Sequence, residues 1–340
     1  MKNKKLFISK IFTKKIFIVI GLVILFVNQN EAQTKLAQTG LQFLEIGQSS
    51  RAEGMGSAFV IAGNNSQAMF YNPAGIALVK NEFDVSFNRV QWFADMSYNS
   101  VGALYKPADG LFGVFGINII NTDYGEFKGT RVSNNSLGYE DTGIFTPHAY
   151  AIGLSYGNQL TDKFSIGGQI KYVAQNLGTN IHSSGGPEIE NVVSGFVFDF
   201  GMIYKTGLKG FDFGMSIKNF ATDFKFEEFA FEAPITFKVG LAVNIFEVFN
   251  KKESNNYLLL AIDAVHPRDY DEHLNIGLEY KMFNMISFRT GYKFNYSEQS
   301  FTAGIGVNYK IGSMDLHFNY SYGAFGIWSN VQRFSLGFGL

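Results

Sequence analysis

From residue 82 onward the chain alternates apolar residues with polar residues or glycine over stretches of about ten positions. In the stretch 298–310, Phe301, Ala303, Ile305, Val307 and Tyr309 share one face, and Thr302, Gly304, Gly306, Asn308 and Lys310 share the other. The next stretch sets Met314, Leu316, Phe318, Tyr320 and Tyr322 against Asp315, His317, Asn319 and Ser321. The last ends on Phe334, Leu336, Phe338 and Leu340 against Ser335, Gly337 and Gly339. A period of two with one apolar face is the β-strand signature. The pattern predicts strands near 82–91, 95–106, 111–121, 148–158, 163–175, 195–206 and 210–219. Seven more fall near 234–246, 256–265, 273–281, 285–295, 298–310, 313–322 and 330–340. Fourteen is an even number, as bacterial outer-membrane barrels have, and each segment is long enough to cross a bilayer at a tilt. The expected fold is all-β, a transmembrane antiparallel barrel of about 14 strands. A soluble sandwich alternates too, but with shorter strands and fewer aromatics at their ends.

The connections sharpen this reading. Alternate ones are tight, as at Pro107–Gly110, Thr206–Lys209 and Lys310–Ser313, while 121–147, 174–194 and 219–233 are long. Short turns on one side and long loops on the other are the outer-membrane arrangement, with the long loops facing outward. Trp92, Phe93, Tyr105, Tyr156, Tyr280, Tyr292 and Tyr309 sit near strand ends, where interfacial aromatic girdles lie.

Two segments before residue 82 break the alternation. Residues 1–15 carry six lysines and no acid, and an apolar run follows from Ile16 to Val27. Twelve residues are too few for a membrane-spanning helix, so 1–32 reads as a signal peptide cleaved after Ala32. Residues 33–81 read as a segment that folds inside or beneath the barrel, a plug or hatch, with 82–340 as the barrel. Its key stretch runs from Arg51 through Gly54 and Gly56 to Asn72, Pro73 and Gly75. Glycine permits close backbone approach, and Pro73 fixes its own φ and extends Asn72. Arg51 is expected to pair with a lumen carboxylate or to touch a ligand. Asp84, Asp315, Lys171, Lys238 and Arg289 fall on inward positions and are candidates for such a network, since an interior charge persists only when paired or hydrated.

Composition then removes several function classes. Without residues 1–32 the chain keeps 22 basic and 28 acidic residues, a net charge of −6, with no basic patch for nucleic acid. It has no cysteine, which removes disulfides, thiolate metal sites and cysteine nucleophiles. His148, His182, His266, His273 and His317 show no metal-ligand spacing. Gly185-Gly186 is not followed by the Lys-Ser/Thr of a phosphate loop. No cofactor, no metal and no catalytic residue is therefore expected; the charged loop His266–His273 reads as solvated, with a metal or lipopolysaccharide contact as its competitor. Phe220, Phe224, Phe226, Phe229 and Phe231 punctuate one long loop, and Phe325 and Trp328 mark the last one. These aromatics either cap the barrel mouth or form an exposed patch for a protein partner or apolar ligand.

Combined with the barrel, Gly47-Gln-Ser-Ser-Arg-Ala-Glu-Gly-Met-Gly-Ser-Ala-Phe-Val60 and Asn72-Pro-Ala-Gly-Ile-Ala77 resemble the N-terminal signature of the PorV/PorQ family. That family is itself similar to FadL-like fourteen-strand transporters with an N-terminal hatch. An acidic pair usual between the two motif halves is replaced here by Asn64-Asn65, so Arg51 needs another partner. The resemblance implies a non-enzymatic outer-membrane component of the type IX secretion system of Bacteroidetes-type bacteria. PorV-like members bind the C-terminal signal domains of secreted cargo, associate with the translocon barrel and hand cargo to the surface. The alternatives are a FadL-like transporter of hydrophobic small molecules, with glycines around Gly113–Gly116 either marking a strand kink or easing packing against the plug, and a structural subunit of a surface machine.

Overall fold

The computed structural model describes residues 39–180, 188–208, 210–226, 229–249, 255–328 and 330–340; the expected signal peptide lies outside them. The period-two segments form β1 (Phe83–Gln91), β2 (Ser97–Tyr105), β3 (Val114–Asp123), β4 (His148–Gln159) and β5 (Phe164–Asn180). They continue as β6 (Ile189–Lys205), β7 (Phe211–Phe220), β8 (Thr236–Asn244), β9 (Tyr257–Pro267) and β10 (His273–Met282). The last four are β11 (Ile286–Phe294), β12 (Gln299–Ile311), β13 (Met314–Phe325) and β14 (Asn330–Gly339). Each pairs antiparallel with its sequence neighbour, and β1 pairs with β14 to close the barrel. Closure runs in register from Asp84↔Gly339 to Gln91↔Gln332, and Leu340 N–H donates to the Phe83 carbonyl at 2.9 Å. A closed ladder leaves no edge and satisfies every strand amide within the wall, which hydrocarbon requires.

Apolar and polar positions sort as the alternation demands, and inversely to a soluble protein. Phe87, Phe115, Leu154, Phe196, Phe288 and Phe318 point outward and are exposed, while Ser86, Asn118, Gln169, Asp263, Glu279 and Arg289 point inward and are buried. Rings cluster where strands end, as in the Phe83–Tyr105 stack with centroids 4.8 Å apart. One end of the barrel carries short turns except at the 245–256 connection, which begins with the short helix Ile245–Val248. The other carries the long loops, two of which form small hairpins: Phe127–Val132 with Tyr139–Phe145, and Phe224–Phe226 with Phe229–Phe231.

Residues 39–80 run through the lumen from the long-loop end to the start of β1. Thr39 bridges to Glu232 at the long-loop end. A short helix, α1 (Ser50–Gly54), and 3-10 turns at Gln42–Glu45, Ser66–Phe70 and Pro73–Leu78 follow. Ser49, Asn65 and Asn72 cap three of these turns with side-chain oxygens, which lets the path change direction three times within a narrow bore. Wall glycines admit the segment. A Cβ on Gly167 would lie 2.4 Å from the Pro73 carbonyl carbon, one on Gly277 2.3 Å from the Met55 carbonyl oxygen, and one on Gly291 2.2 Å from Gly56 N. Gly56 itself turns at φ +64°, a conformation other residues adopt only with strain.

The pair Gly167–Gly168 gives a direct check. Gly167→Ala should destabilise the folded barrel by about 1–3 kcal/mol, because backbone occupies the space. Gly168→Ala, whose Cβ meets nothing nearer than 3.8 Å, should be near neutral. Urea unfolding in lipid vesicles measures both, and equal effects would contradict the packing described.

Candidate functional site

The lumen holds two charge centres that join the inner segment to the wall. In the first, Arg51 places Nε 3.0 Å and Nη2 2.7 Å from the two carboxylate oxygens of Glu279, a bidentate pair. Glu279 also accepts from Arg289 Nε at 2.7 Å and from the Tyr257 hydroxyl. Arg289 in turn donates to Asn319 at 2.9 Å. Arg51 thus finds its partner on β10, with Asn64 Oδ1 at 3.3 Å as a weaker one. In the second centre, Glu53 of α1 accepts from Lys293 at 2.9 Å and from Ser57 at 2.5 Å, with Arg333 at 3.6 Å. Burial alone would raise the Glu53 carboxyl, but Lys293 and Arg333 together hold it well below the usual carboxylate range.

Backbone amides complete the docking. Asp263 accepts from Phe59 N–H at 2.7 Å and Val60 N–H at 3.0 Å, and Asp84 accepts from Ser66 N–H at 2.7 Å. Asn72 Nδ2 donates to the Val60 carbonyl at 2.8 Å and to the Met202 carbonyl at 3.3 Å, while its Oδ1 caps Ala74 N–H. Gly54 packs against Gly304 of β12, and Gly75 fits against the Gly63 carbonyl within the segment. Of the lumen candidates read from the sequence, Asp84 and Arg289 join this docking, Lys171 pairs with Asp199 at 2.7 Å, and Asp315 faces Lys310 at 3.7 Å. Glu53, Asp263, Glu279, Lys293 and Arg333 were not singled out. Inward parity marks the wall residues among them, but register alone shows which meet the inner segment.

The outer aromatics divide. Phe220 and Phe229 are exposed, the latter at 81%, whereas Phe224 is 6% exposed and packs against Gly195. Phe226 and Phe231 stack with centroids 5.2 Å apart, and Phe231 also covers Gly40. The exposed-patch reading therefore fails for Phe224, which anchors its hairpin instead. Phe325 packs on Trp92, and Trp328 stacks on Phe93 at 5.4 Å while staying half exposed. Phe325 thus belongs to a rim cluster and Trp328 to its accessible edge. Of the two readings of Gly113–Gly116, packing against the inner segment fits Gly116, which makes room for the Met69 sulfur, while β3 pairs with β2 and β4 without a register shift. The described residues contain no cluster of three or more metal-ligating side chains.

A family model for type IX secretion system membrane protein PorP/SprF matches residues 68–336. The chain belongs to the PorP/SprF family. The family and the closed antiparallel barrel together place the protein in the outer membrane. In such barrels the short turns face the periplasm and the longer loops the exterior. The type IX assignment and the FadL-like fold agree with the resemblance drawn from Gly47–Leu78, while the family matched is PorP/SprF. The Ralstonia pickettii toluene transporter TbuX superposes with TM-score 0.55 at 15% identity, over 84% of this chain and 96% of its own. The Pseudomonas putida toluene transporter TodX gives 0.56 at 13%, over 90% and 98%. The CymD monoaromatic hydrocarbon channel gives 0.53 at 11%, over 86% and 96%. No curated protein matches by sequence.

Two outcomes test the charge centres. Glu279→Ala strands both Arg51 and Arg289 in the lumen and should cost about 3 kcal/mol or more in urea unfolding; under 0.5 kcal/mol would contradict the pairing. The lowered Glu53 carboxyl contributes stability that is complete above its unfolded value of about 4.3 and is lost as pH falls toward its folded value. The stability gap between wild type and Glu53→Gln should therefore be full at pH 7 and shrink below about pH 4. A gap unchanged down to pH 3 would contradict it.

Proposed function

We propose that this protein is a non-enzymatic, plugged barrel of the type IX secretion machinery that holds secreted cargo or the translocon at its outer loops. The observation that carries this reading is the filled lumen. The inner segment separates a cavity of about 350 Å³ at the long-loop end from one of about 520 Å³ at the short-turn end. Its ion pairs and glycine contacts fix it to strands all around the bore, so residues 39–80 act as the plug. Function then falls to the loops, where Phe220, Phe229, Ile327 and Trp328 expose apolar surface of the kind that anchors partners. Recognition of cargo C-terminal domains, as in PorV-like proteins, is the finer form of this reading. Contact with lipopolysaccharide and outer-membrane lipid falls to the apolar band outside.

A second reading, a transporter of hydrophobic small molecules, is favoured by the likeness to the TbuX and TodX toluene transporters. It requires a path past the plug or through the wall. Purification from native outer membranes in mild detergent separates the two. The secretion reading predicts co-purification of the translocon barrel or of proteins bearing type IX C-terminal domains, lost on Phe229→Ala/Trp328→Ala. A lone barrel carrying a hydrophobic molecule in its lumen would overturn it.

A further inference from the structure

The cavity at the long-loop end contains donors that the protein does not satisfy. Strand β7 is interrupted by a bulge, where Phe220 pairs with Phe198 and Ile217 with Phe200, leaving Lys218 and Asn219 opposite Asp199. Asn219 takes φ +59°, and the extra residue turns both Lys218 and Asn219 inward. Bulges of this kind re-aim side chains at functional sites. Asn219 is fully used: its N–H donates to Asp199 at 2.7 Å, its Oδ1 accepts from Lys171 at 2.8 Å, and its Nδ2 donates to Glu45 at 2.7 Å. Lys218 is not. It is 7% exposed, lines the cavity, and has no hydrogen bond or ion pair among the described residues.

Lys238 stands beside it. Thr236 pairs with Lys218 across β7 and β8, so Lys238 is its diagonal neighbour on the same inner face. It too lines the cavity and has no hydrogen bond or ion pair among the described residues. His273 Nδ1, also on the lining, is buried without a hydrogen-bond partner.

Three of the neighbouring carboxylates already accept bonds from other groups. Glu45 accepts from Asn219 and Thr236, Glu53 from Lys293 and Ser57, and Asp269 from Thr39 and Gln42. Glu298 lies on the 294–299 connection. Lys218 and Lys238 together present six N–H donors to the cavity and bond to none of its acceptors among the described residues. Leaving such groups unmet in a low-dielectric interior is costly, so the site favours a ligand that brings acceptor oxygens. Glu45, Glu53, Asp269 and Glu298 on the lining offset the charges of Lys218, Lys238 and Lys293, which suits a singly charged anion better than a phosphate dianion. Tyr71, Tyr296 and Phe325 supply aromatic wall to a cavity of about 350 Å³.

We propose that this outer cavity binds a carboxylate borne on a short apolar or aromatic body, with Lys218 and Lys238 as the anion-holding groups. The site stands whether or not the loops hold cargo, because Phe220, Phe229, Ile327 and Trp328 do not line it. Two sources present this chemistry: a free small acid, or the terminal carboxylate of a polypeptide. Calorimetric titration of the full-length protein in detergent uses phenylacetate and phenylacetamide, then the tripeptide Ala-Ala-Phe with its carboxylate free or amidated. At least one acid should bind about tenfold or more tighter than its amide, and Lys218→Met/Lys238→Met should remove that preference. Phenylacetate alone would identify a free acid as the ligand; the tripeptide acid alone would identify a chain terminus. Acid and amide binding alike, or neither acid binding, overturns the proposal. So does a double variant that retains the preference while still running as a heat-modifiable folded barrel on gels. If that variant does not fold, the acid-against-amide comparison on wild type decides alone.

Discussion

Arg51 and Glu279 hold the inner segment and the barrel wall together. A guanidinium on α1 of the inner segment and a carboxylate on the lumen face of β10 lie 228 positions apart in sequence, yet form a bidentate pair. Buried charges impose an all-or-none requirement, since each is tolerated only with its partner in place. Arg51 without the wall would be a lumen cation with Asn64 as its weak substitute. Lys293 and Arg333 without Glu53 would face each other uncompensated on neighbouring parts of the inner surface. Docking of residues 39–80 is thereby tied to correct barrel register, because a slip of one residue on any strand reverses its faces.

Shape enforces the same requirement from the other side. Gly157, Gly167, Gly201, Gly277 and Gly291 line the bore where Ile76, Pro73, Asn72, Met55 and Gly56 press against it. A wide barrel with larger inward side chains would exclude the segment, and one with small residues but no segment would leave a water-filled channel. Lumen polarity and wall glycines are two parts of one solution. The closed wall and the seated inner segment follow from it.

Much of this was legible in the sequence, and for a physical reason. A lipid-facing strand must keep its parity, so Phe301 to Lys310 or Met314 to Tyr322 declare both strand and facing without any knowledge of neighbours. The inner segment was legible by contrast, through its broken alternation and the Gly54, Gly56 and Asn72-Pro73 positions. Pairings were not. Glu279 reads as one more inward residue until the register sets it beside Arg51, and Asp263 gives no hint that it caps the Phe59 and Val60 amides. The hairpin that buries Phe224 against Gly195 was hidden because five phenylalanines in a loop look alike before one of them folds back. The bulge that turns Lys218 and Asn219 to the same side breaks the very parity that made the rest readable.

The central claim is that the inner segment is locked against the wall in the folded protein. Ser50 and Ser335 place their hydroxyl oxygens 2.9 Å apart, and the chain has no cysteine of its own. A Ser50→Cys/Ser335→Cys variant, oxidised in intact outer membranes, then boiled and run on a non-reducing gel, measures that contact directly. Near-complete conversion to a faster-migrating, reductant-sensitive form is the predicted result, with either single variant unchanged. A double variant that stays uncrosslinked while folding into a heat-modifiable barrel would contradict the account.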